Sequence, residues 1–415
     1  TKRKYRQMKF MRFFTIIGFL VTIHVTAQNK QISLEEIWNG TFRTEGMQAL
    51  HSMNNGKQYS VLNFNRSSRI SSIDIYNYKT LEKVNTLLSS SDLPEIVAFF
   101  DYSFSKDESK ILLTTQSKPV FRRSTLGEYY IYDTNTKKVT KLSDDLVQEP
   151  TFSPDGSKVA FGFQNNLYVK DLNSGELKQF TFDGEKNSII NGITDWVYEE
   201  EFSFVRAFDW NADGNKIAFI RFDESEVPEF SMDVFGSGLY QTQQVFKYPK
   251  AGEANSRVSL HLYDLESEAL SELKVSKDYK DFYIPRLEWT NDPDVLSVQY
   301  MNRHQDELDL WMIDASNLSS ALVLAETDKA YVDVTFNLTF LEDNSFIWTS
   351  EKDGYNHIYH YDKNGTLINQ VTDGDWEVIN YYGFDEKSNS IFYQSVENGS
   401  INRDIYSVKL NGKNK

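Results

Sequence analysis

Residues 152–161 read F-S-P-D-G-S-K-V-A-F: an aromatic residue, a polar turn and an apolar strand. Close copies begin at Phe104 and Trp210, as F-S-K-D-E-S-K-I-L-L and W-N-A-D-G-N-K-I-A-F. An aromatic residue and an apolar strand separated by a turn rich in Asp, Gly, Asn and Ser are typical of an antiparallel hairpin. The copies therefore predict a series of hairpins along the chain. Looser copies begin at Trp289, Phe340 and Phe384.

A second pattern accompanies these stretches, an alternating strand that carries Tyr or Trp and ends in a polar turn. Paired hairpin signals that return every ~40 to 50 residues indicate propeller blades, which bury their apolar faces only by stacking. We therefore predict an all-β fold, a β-propeller of four-stranded antiparallel blades with about seven blades present. An unrelated β-sandwich with coincidental turns is the less favoured alternative. Copies of the second pattern occupy residues 75–78, 130–133, 167–171, 262–264, 310–314, 358–362 and 405–408.

Charge and cysteine content exclude several classes of function. The formal net charge is -16, whereas nucleic-acid backbones are bound by clustered Lys and Arg, so we expect no nucleic acid as partner. The chain has no cysteine, which excludes a disulfide scaffold, a cysteine nucleophile and a thiolate metal site. Neither a metal nor a cofactor is expected.

The first residues have the composition of a secretory signal peptide. Basic residues up to Arg12 precede an apolar run over 13–23, and the small residues of 25–27 follow. The apolar run is shorter than the ~20 residues of a transmembrane helix, although an uncleaved signal anchor is the alternative. We expect residues 1–27 to be a signal peptide and the protein to be exported, to the periplasm or the extracellular space. A short helix is expected nearby, around Glu35.

One interval, residues 180–258, is too long for a single blade. Its first interruption reads D-W-V-Y-E-E-E, residues 195–201. Long insertions in repeat proteins are often functional, because the repeat itself needs only its strands. The run Glu199, Glu200 and Glu201 could bind a primary ammonium, which has three donors for several carboxylate oxygens. A solvated charge run is the alternative, and a shared ligand would require a bent or one-turn segment.

Two arginines, Arg122 and Arg123, follow one predicted strand and precede another. The planar guanidinium of either could bind a backbone carbonyl or a carboxylate, although surface charge is the alternative. The sequence contains no G-x-S-x-G nucleophile elbow and no phosphate-binding Gly-rich loop. We therefore expect no catalytic residue in this chain.

Several of these motifs resemble the dipeptidyl peptidase IV family, in the prolyl oligopeptidase superfamily of serine peptidases. The most specific is N-G-I-T-D-W-V-Y-E-E-E, residues 191–201, which is similar to an insertion that projects from the propeller in that family. The likeness extends from about residue 32 to the end of the chain, and the lack of cysteine resembles the bacterial exported branch. Supporting matches are E-V-P from Glu226, Y-P-K-A-G from Tyr248, D-G-Y-N-H-I from Asp353 and G-D-W-E-V from Gly374.

The resemblance implies a substrate and a site. In the family, a propeller caps an α/β-hydrolase domain with a Ser-Asp-His triad, and dipeptides are released when Pro or Ala is the second residue. The family's paired glutamates bind the free N-terminus of the peptide and correspond to Glu200 and Glu201. Its arginine that binds the substrate backbone corresponds to Arg122, or to Arg123 if the loop is shifted. Family members commonly dimerise, which implies a homodimer of the full-length protein.

From this likeness we expect a signal peptide over 1–27 and, over 28–50, a segment that packs on the hydrolase domain. A propeller over 51–415 would lack the last of the family's eight blades. We also expect the hydrolase domain to lie outside this chain, and we therefore expect the chain alone to be inactive. Whether the chain is part of an enzyme stays open. The alternatives are a catalytically inactive propeller that binds peptides or a protein, and a sibling enzyme that releases tripeptides. The intact E-E-E run favours the release of dipeptides.

Overall fold

A computed structural model describes residues 31–44 and 46–415, so the predicted signal peptide lies outside the described residues. The chain divides into two compact units, Thr1–Ala49 and Leu50–Lys415. In the first unit, Leu34–Trp38 forms helix α1, and Ser33 caps its N-terminus by accepting a hydrogen bond from the backbone N–H of Glu36 at 3.2 Å. This helix confirms the one expected around Glu35.

The second unit is a seven-bladed β-propeller, and each blade is a small antiparallel sheet. The predicted all-β propeller fold is therefore confirmed. The strands of blades 1 to 3 are β1 Leu50–Ser52, β2 Gln58–Asn65, β3 Ile70–Asn77, β4 Lys83–Ser89, β5 Asp101–Phe104, β6 Lys110–Pro119, β7 Thr125–Asp133, β8 Val139–Lys141, β9 Gln148–Phe152, β10 Lys158–Phe163, β11 Asn166–Asp171 and β12 Leu177–Gln179.

Blade 4 contains two insertions. Helix α2, Trp196–Glu201, follows its first strand, and a separate two-stranded hairpin of β16 and β17 interrupts it again. The strands of the second half are β13 Ile189–Asn191, β14 Phe208–Trp210, β15 Lys216–Asp223, β16 Glu229–Val234, β17 Thr242–Lys247, β18 Arg257–Asp264, β19 Leu270–Leu273, β20 Phe282–Trp289, β21 Val295–Asn302, β22 Glu307–Asp314, β23 Ser320–Thr327, β24 Thr339–Phe340, β25 Phe346–Ser350, β26 His357–Tyr361, β27 Leu367–Gln370, β28 Val378–Asp385, β29 Ser390–Ser395 and β30 Asp404–Lys409.

The prediction of four strands in every blade is wrong for two blades. Blade 4 has five strands in the order β13-β15-β18-β19, with β14 also paired to β15. Here the chain leaves the sheet after β13 to form α2 and returns as β14, so that two short strands share one side of β15. Blade 7 has three strands, β28-β29-β30, in the described part of the chain.

The repeated turn forms because its polar side chains bind its own backbone. In the turn between β9 and β10, Ser153 Oγ accepts a hydrogen bond from Lys158 N at 3.0 Å and donates one to Asp155 at 2.6 Å. Gly156 has φ +67°, a backbone conformation that glycine adopts without steric cost. Burial alone would raise the pKa of Asp155, but hydrogen bonds from Ser153 and Ser157 outweigh it and hold the pKa at about 2. Polar turn residues therefore fix each hairpin.

The hydrophobic core lies between neighbouring blades, as expected for repeats that cannot bury an apolar face alone. Its clusters join adjacent sheets one after another from blade 1 to blade 7, so the core is a series of interfaces between sheets. Buried residues that lie in neighbouring blades and belong to the same cluster include Ile73 and Ile111, Leu112 and Val159, Leu167 and Phe219, Leu260 and Leu296, Leu310 and Phe346, and Ile358 and Ile391. Within residues 31–44 and 46–415, no helix is both long enough and apolar enough to cross a membrane.

Candidate functional site: a glutamate-bearing helix and an arginine loop

Helix α2 begins at a buried aspartate. Asp195 is the N-cap residue, and its Oδ1 accepts a hydrogen bond from Tyr198 N at 2.9 Å. Its Oδ2 accepts a hydrogen bond from the hydroxyl of Ser256 at 2.5 Å. Burial raises the pKa of Asp195, even though these hydrogen bonds favour its charged form. The start of the helix is therefore hydrogen-bonded to Ser256, which directly precedes β18 and follows both insertions in the sequence.

A buried tyrosine holds the middle of the helix. Tyr198 is 2% exposed, and its hydroxyl accepts a hydrogen bond from Ile284 N of β20 at 2.9 Å. Its ring contacts those of Phe202 and Phe222, with centroid distances of 5.1 and 4.8 Å. The helix is thus packed against both blade 4 and blade 5, and this packing fixes the direction in which its glutamates point.

The first glutamate of the run is structural. Glu199 is fully buried, and its Oε1 accepts hydrogen bonds from the backbone N–H groups of Arg123 and Ser124, the latter at 2.9 Å. The Arg123 guanidinium donates to Glu199 O at 3.2 Å and to Ser203 Oγ at 3.1 Å. These contacts join α2 to the loop between β6 and β7. Glu199 Oε1 and the Arg123 guanidinium therefore hold α2 against this loop, whereas the buried Glu199 Oε2 has no hydrogen-bond partner within the described residues.

The second glutamate pairs with Arg122, one of the two candidate arginines of the sequence. Arg122 Nε donates to Glu200 Oε1 at 2.9 Å and to Oε2 at 2.7 Å. The Arg122 side chain is 70% exposed and that of Glu200 is 18% exposed, so a ligand can reach both. Glu201, the next residue, is exposed, and within the described residues its carboxylate has no hydrogen bond or ion pair. The fold thus brings together Glu200 and Arg122, which are 78 residues apart in the sequence.

The C-terminal end of α2 is held by an arginine that has no acidic partner within the described residues. Arg286 of β20 donates a hydrogen bond to the carbonyl oxygen of Phe202, the C-cap residue, at 2.6 Å. Its guanidinium lies over the rings of Phe204 and Phe336, 4.9 and 3.9 Å from their centroids. Burial lowers the pKa of Arg286 to about 10. A cation at this end also interacts favourably with the dipole of the helix.

A helix fixed at its start, middle and end therefore holds Glu200 against the Arg122 guanidinium of the loop between β6 and β7, and the next residue of the helix is the exposed Glu201. Carboxylates of this kind could bind an ammonium group, and the Arg122 guanidinium could bind a carbonyl oxygen. The sequence predicted Glu200, Glu201 and Arg122 as candidates and left Arg123 open. The structure places Arg122 beside Glu200 and turns Arg123 towards the backbone of the helix.

Sequence reasoning missed Arg286 and the structural role of Glu199. Arg286 is a single arginine in an ordinary strand, and no local pattern distinguishes it from surface charge. Glu199 lies in a run of three identical residues, so its burial depends on which side of α2 faces the loop at Ser124. The preceding aspartate, Asp195, was a usable signal, because Asp is a preferred N-cap residue and predicts where the helix begins.

The fold and the site together define a β-propeller that bears a carboxylate-rich helical insertion. The sequence model of the protein family "Dipeptidyl peptidase IV (DPP IV) N-terminal region" matches residues 105–415 of this chain. The chain therefore belongs to this family, as the sequence motifs predicted.

Individual relatives agree with this assignment. The crystal structure of Porphyromonas gingivalis dipeptidyl peptidase 4 matches with a TM-score of 0.86 and 38% identity, over 93% of this chain and 55% of that chain. Proteins named "Probable dipeptidyl-aminopeptidase B" from the fungi Phaeosphaeria nodorum and Pyrenophora teres are each 32% identical, over 75% and 74% of this chain and 38% and 37% of theirs. The chain thus spans roughly four to six tenths of the length of these relatives.

Proposed function

We propose that this chain is the substrate-gating, N-terminus-binding propeller of a serine exopeptidase that releases Xaa-Pro and Xaa-Ala dipeptides. The observation that carries the proposal is the accessible pair of Glu200 and Arg122 beside the unpaired carboxylate of Glu201. Relatives that are named as dipeptidyl peptidases support a peptide as the ligand. In the proposal, Glu200 and Glu201 bind the α-ammonium group, and Arg122 binds the first backbone carbonyl.

The requirement for a free ammonium follows from the cost of desolvating carboxylates. A peptide bound through an internal segment would cover Glu201, which has no ion pair within the described residues, without giving it a cation, and an uncompensated charge is expensive to remove from water. A site built for a charged amine therefore rejects ligands that lack it. If the scissile bond lies a fixed distance from this site, the product length is fixed at two residues. The preference for Pro or Ala at the second position belongs to the proposed hydrolase domain.

Export is part of the proposal, as is dimerisation of the full-length protein. The basic, apolar and small-residue segments of residues 1–27 support export to the periplasm or the extracellular space. An apolar surface for dimerisation is offered by the hairpin of β16 and β17, residues 229–247, which we call the arm. Phe235, Leu239 and Tyr240 in its turn are 80, 98 and 86% exposed. Exposed apolar residues grouped in this way favour association with another protein surface.

The test of the proposed activity begins with the coding DNA beyond Lys415, where we expect an in-frame hydrolase domain with a G-x-S-x-G elbow. The product of the complete reading frame should hydrolyse Gly-Pro and Ala-Ala reporters. Glu200→Ala and Glu201→Ala should each reduce kcat/KM by at least tenfold, because the ammonium loses one of its charge-assisted hydrogen bonds. Glu226→Ala, at an exposed site outside α2, is the matched control.

The second candidate function is a propeller that captures peptide N-termini or a partner protein without chemistry. The same helix and arginine loop favour it, since they bind without needing a nucleophile. A stop codon directly after Lys415, together with ammonium-dependent binding by the chain, would select this function. Unchanged kinetics in Glu200→Ala and Glu201→Ala would remove these residues from the site under the first function.

A further inference from the structure

The turn directly after helix α2 contains a residue in a strained backbone conformation. Ser203 has φ +58°, in the left-handed region that residues other than glycine seldom adopt. It follows Phe202, the C-cap residue of the helix, and its own side chain is exposed. Strain of this kind persists only where the surrounding structure holds it, and it is most common at functional sites. The contacts of this turn therefore have to hold it in place.

Two arginines from different blades hold the turn. Arg123, in the loop between β6 and β7 of blade 2, donates a hydrogen bond to Ser203 Oγ at 3.1 Å. Arg286, in β20 of blade 5, donates one to Phe202 O at 2.6 Å. The first contact is exposed and the second is partly buried, so water competes less with the second. We therefore expect Arg286 to hold the turn more firmly than Arg123.

Arg286 carries a charge that no carboxylate of the described residues compensates. Its guanidinium donates hydrogen bonds to two backbone carbonyls, those of Phe202 and Pro285, and lies over the rings of Phe204 and Phe336. Although burial lowers its pKa to about 10, Arg286 keeps its charge at neutral pH. A charge without a counter-charge is costly to remove from water. This cost, together with the bond to the C-cap carbonyl, indicates that Arg286 serves to hold the end of α2.

The two candidate ammonium ligands depend on this turn to different degrees. Glu200 is oriented by its side-chain pair with Arg122, through bonds of 2.9 and 2.7 Å. Glu201 has no such pair within the described residues, and it immediately precedes Phe202. Its carboxylate is therefore placed by the backbone of the last turn of α2 and by the contacts that hold that turn. Loss of Arg286 should displace Glu201 and leave the Glu200–Arg122 pair in place.

We propose that Arg286 is a positioning residue of the ammonium site, which holds Ser203 in its left-handed conformation and thereby fixes Glu201 where it binds the N-terminus of a peptide. The inference rests on the proposed function and adds to it a residue of blade 5 that touches no substrate. Arg286 acts through the carbonyl of Phe202, so removal of its hydrogen bond lets the turn relax to a less strained conformation. The site is then assembled from three parts: the loop of blade 2, the helical insertion of blade 4 and β20 of blade 5.

The test measures by calorimetry the affinity of the 415-residue chain for Ala-Pro-Gly-Gly amide with a free and with an acetylated N-terminus. The ratio of the two affinities isolates the contribution of the ammonium group, which a general loss of stability would not change. Arg286→Met keeps an apolar side chain between the aromatic rings, and we expect it to lower the ratio about fivefold to tenfold. Arg286→Lys keeps a cationic donor for the carbonyl of Phe202, so its ratio should exceed that of Arg286→Met at least about threefold. Arg403→Met, at an exposed arginine of blade 7, is the matched control and should keep the wild-type ratio.

Ser203 provides a second test that does not depend on the folding of Arg286 variants. Ser203→Gly and Ser203→Val both remove the contact with Arg123 at an exposed position. Glycine adopts the left-handed conformation without steric cost, whereas a β-branched residue tolerates it least. The ratio of Ser203→Gly should therefore exceed that of Ser203→Val at least about fivefold. Ser203→Gly added to Arg286→Met should also restore most of the lost ratio, and equal ratios for the Gly and Val variants would overturn the proposal.

A double-mutant cycle with Glu201→Gln connects Arg286 to the glutamate that it positions. If Arg286 acts through Glu201, Arg286→Met should lower the ratio by less than about twofold once Glu201 is replaced. An undiminished effect in that background, or an unchanged ratio in Arg286→Met alone, would overturn the positioning role and leave the proposed function intact. Equal affinity of the wild type for the free and acetylated peptides would overturn the proposed function and the positioning role together.

Discussion

The two insertions of blade 4 are built in opposite ways. Helix α2 buries Val197, Tyr198 and Glu199, and polar contacts to other segments hold it at both ends. The arm leaves every residue of β16 exposed and carries its most exposed apolar residues, Phe235, Leu239 and Tyr240, at its turn. The helix is therefore suited to holding charged groups in a fixed geometry, whereas the arm is suited to offering surface to another molecule. This difference indicates that the binding site depends on helix α2 and not on the arm.

The largest effect is expected at the buried glutamate of the helix. Glu199→Ala leaves the backbone N–H groups of Arg123 and Ser124 without an acceptor, and each buried unpaired donor costs ~1 to 3 kcal/mol. We expect the free energy of unfolding to fall by about 4 kcal/mol. Urea unfolding checks this, with the exposed Glu226→Ala as control. A loss below about 1 kcal/mol would mean that the helix does not depend on this anchor.

A pH-dependent effect is expected at Glu224, whose carboxylate interacts with the charges of Asp195 at the start of α2 and of Lys247 in the arm. Burial and the nearby Asp195 raise the pKa of Glu224 to about 7, although Lys247 of the arm opposes the shift. The raised pKa means that the folded protein disfavours the charged form of Glu224. The protein therefore loses stability as the pH rises from about 4 to about 7.

Glu224→Gln removes this loss, so the variant should exceed the wild type by about 2 kcal/mol at pH 8 and match it near pH 4. Thermal unfolding at both pH values provides the measurement. A stabilisation that is the same at both would show that the carboxylate is not titrating as described.

A smaller effect is expected in the propeller scaffold itself. The depressed pKa of Asp155 means that its charged form stabilises the turn above about pH 4, and that this contribution disappears as the pH falls to about 2. Because Asp155 is exposed, we expect only about 1 kcal/mol after solvent screening. Asp155→Ala should therefore be less stable than the wild type at pH 7 and equal to it at pH 2. An equal deficit at both pH values would point to lost packing instead of lost charge.

The smallest change in stability is expected at the turn of the arm. The combined substitution Phe235→Ser, Leu239→Ser and Tyr240→Ser alters exposed side chains only, so the free energy of unfolding should change by less than about 0.5 kcal/mol. In the full-length protein the same substitutions should weaken the proposed homodimer, as measured by light scattering across a concentration series. A large loss of stability in the monomer would show that the arm is part of the core.

The sequence was sufficient for the features that depend on local patterns. The turns that begin at Phe104, Phe152 and Trp210 predicted successive hairpins, because their Asp, Asn, Ser and Gly residues bind the backbone of the turn itself. The E-E-E run and the arginine pair were also identified as candidates, because carboxylates in an insertion can bind an ammonium group and a guanidinium in a loop can bind a carbonyl oxygen.

The features that depend on long-range packing were beyond the sequence. The contact of Arg286 with the end of α2 joins residues 84 positions apart, and nothing near either residue indicates it. The arm was not predicted, although β16 alternates polar and apolar residues as E-F-S-M-D-V, because β17 reads T-Q-Q-V-F-K without alternation and the hairpin lacks the aromatic, turn and strand pattern of the blades. Likewise, the ring contacts of Phe121 with Phe246 and of Trp196 with Tyr248 join segments that are distant in the sequence, and only the fold brings them together.

The central claim is that Glu200, together with Glu201, binds the free N-terminus of a peptide. The most direct test is to measure by calorimetry the affinity of the chain for Ala-Pro-Gly-Gly amide with a free or an acetylated N-terminus, for the wild type and for Glu200→Gln. We predict that acetylation weakens binding at least tenfold in the wild type, and that Glu200→Gln binds the free peptide nearly as weakly as the wild type binds the acetylated one. Equal affinity for the free and acetylated peptides in the wild type would contradict the claim.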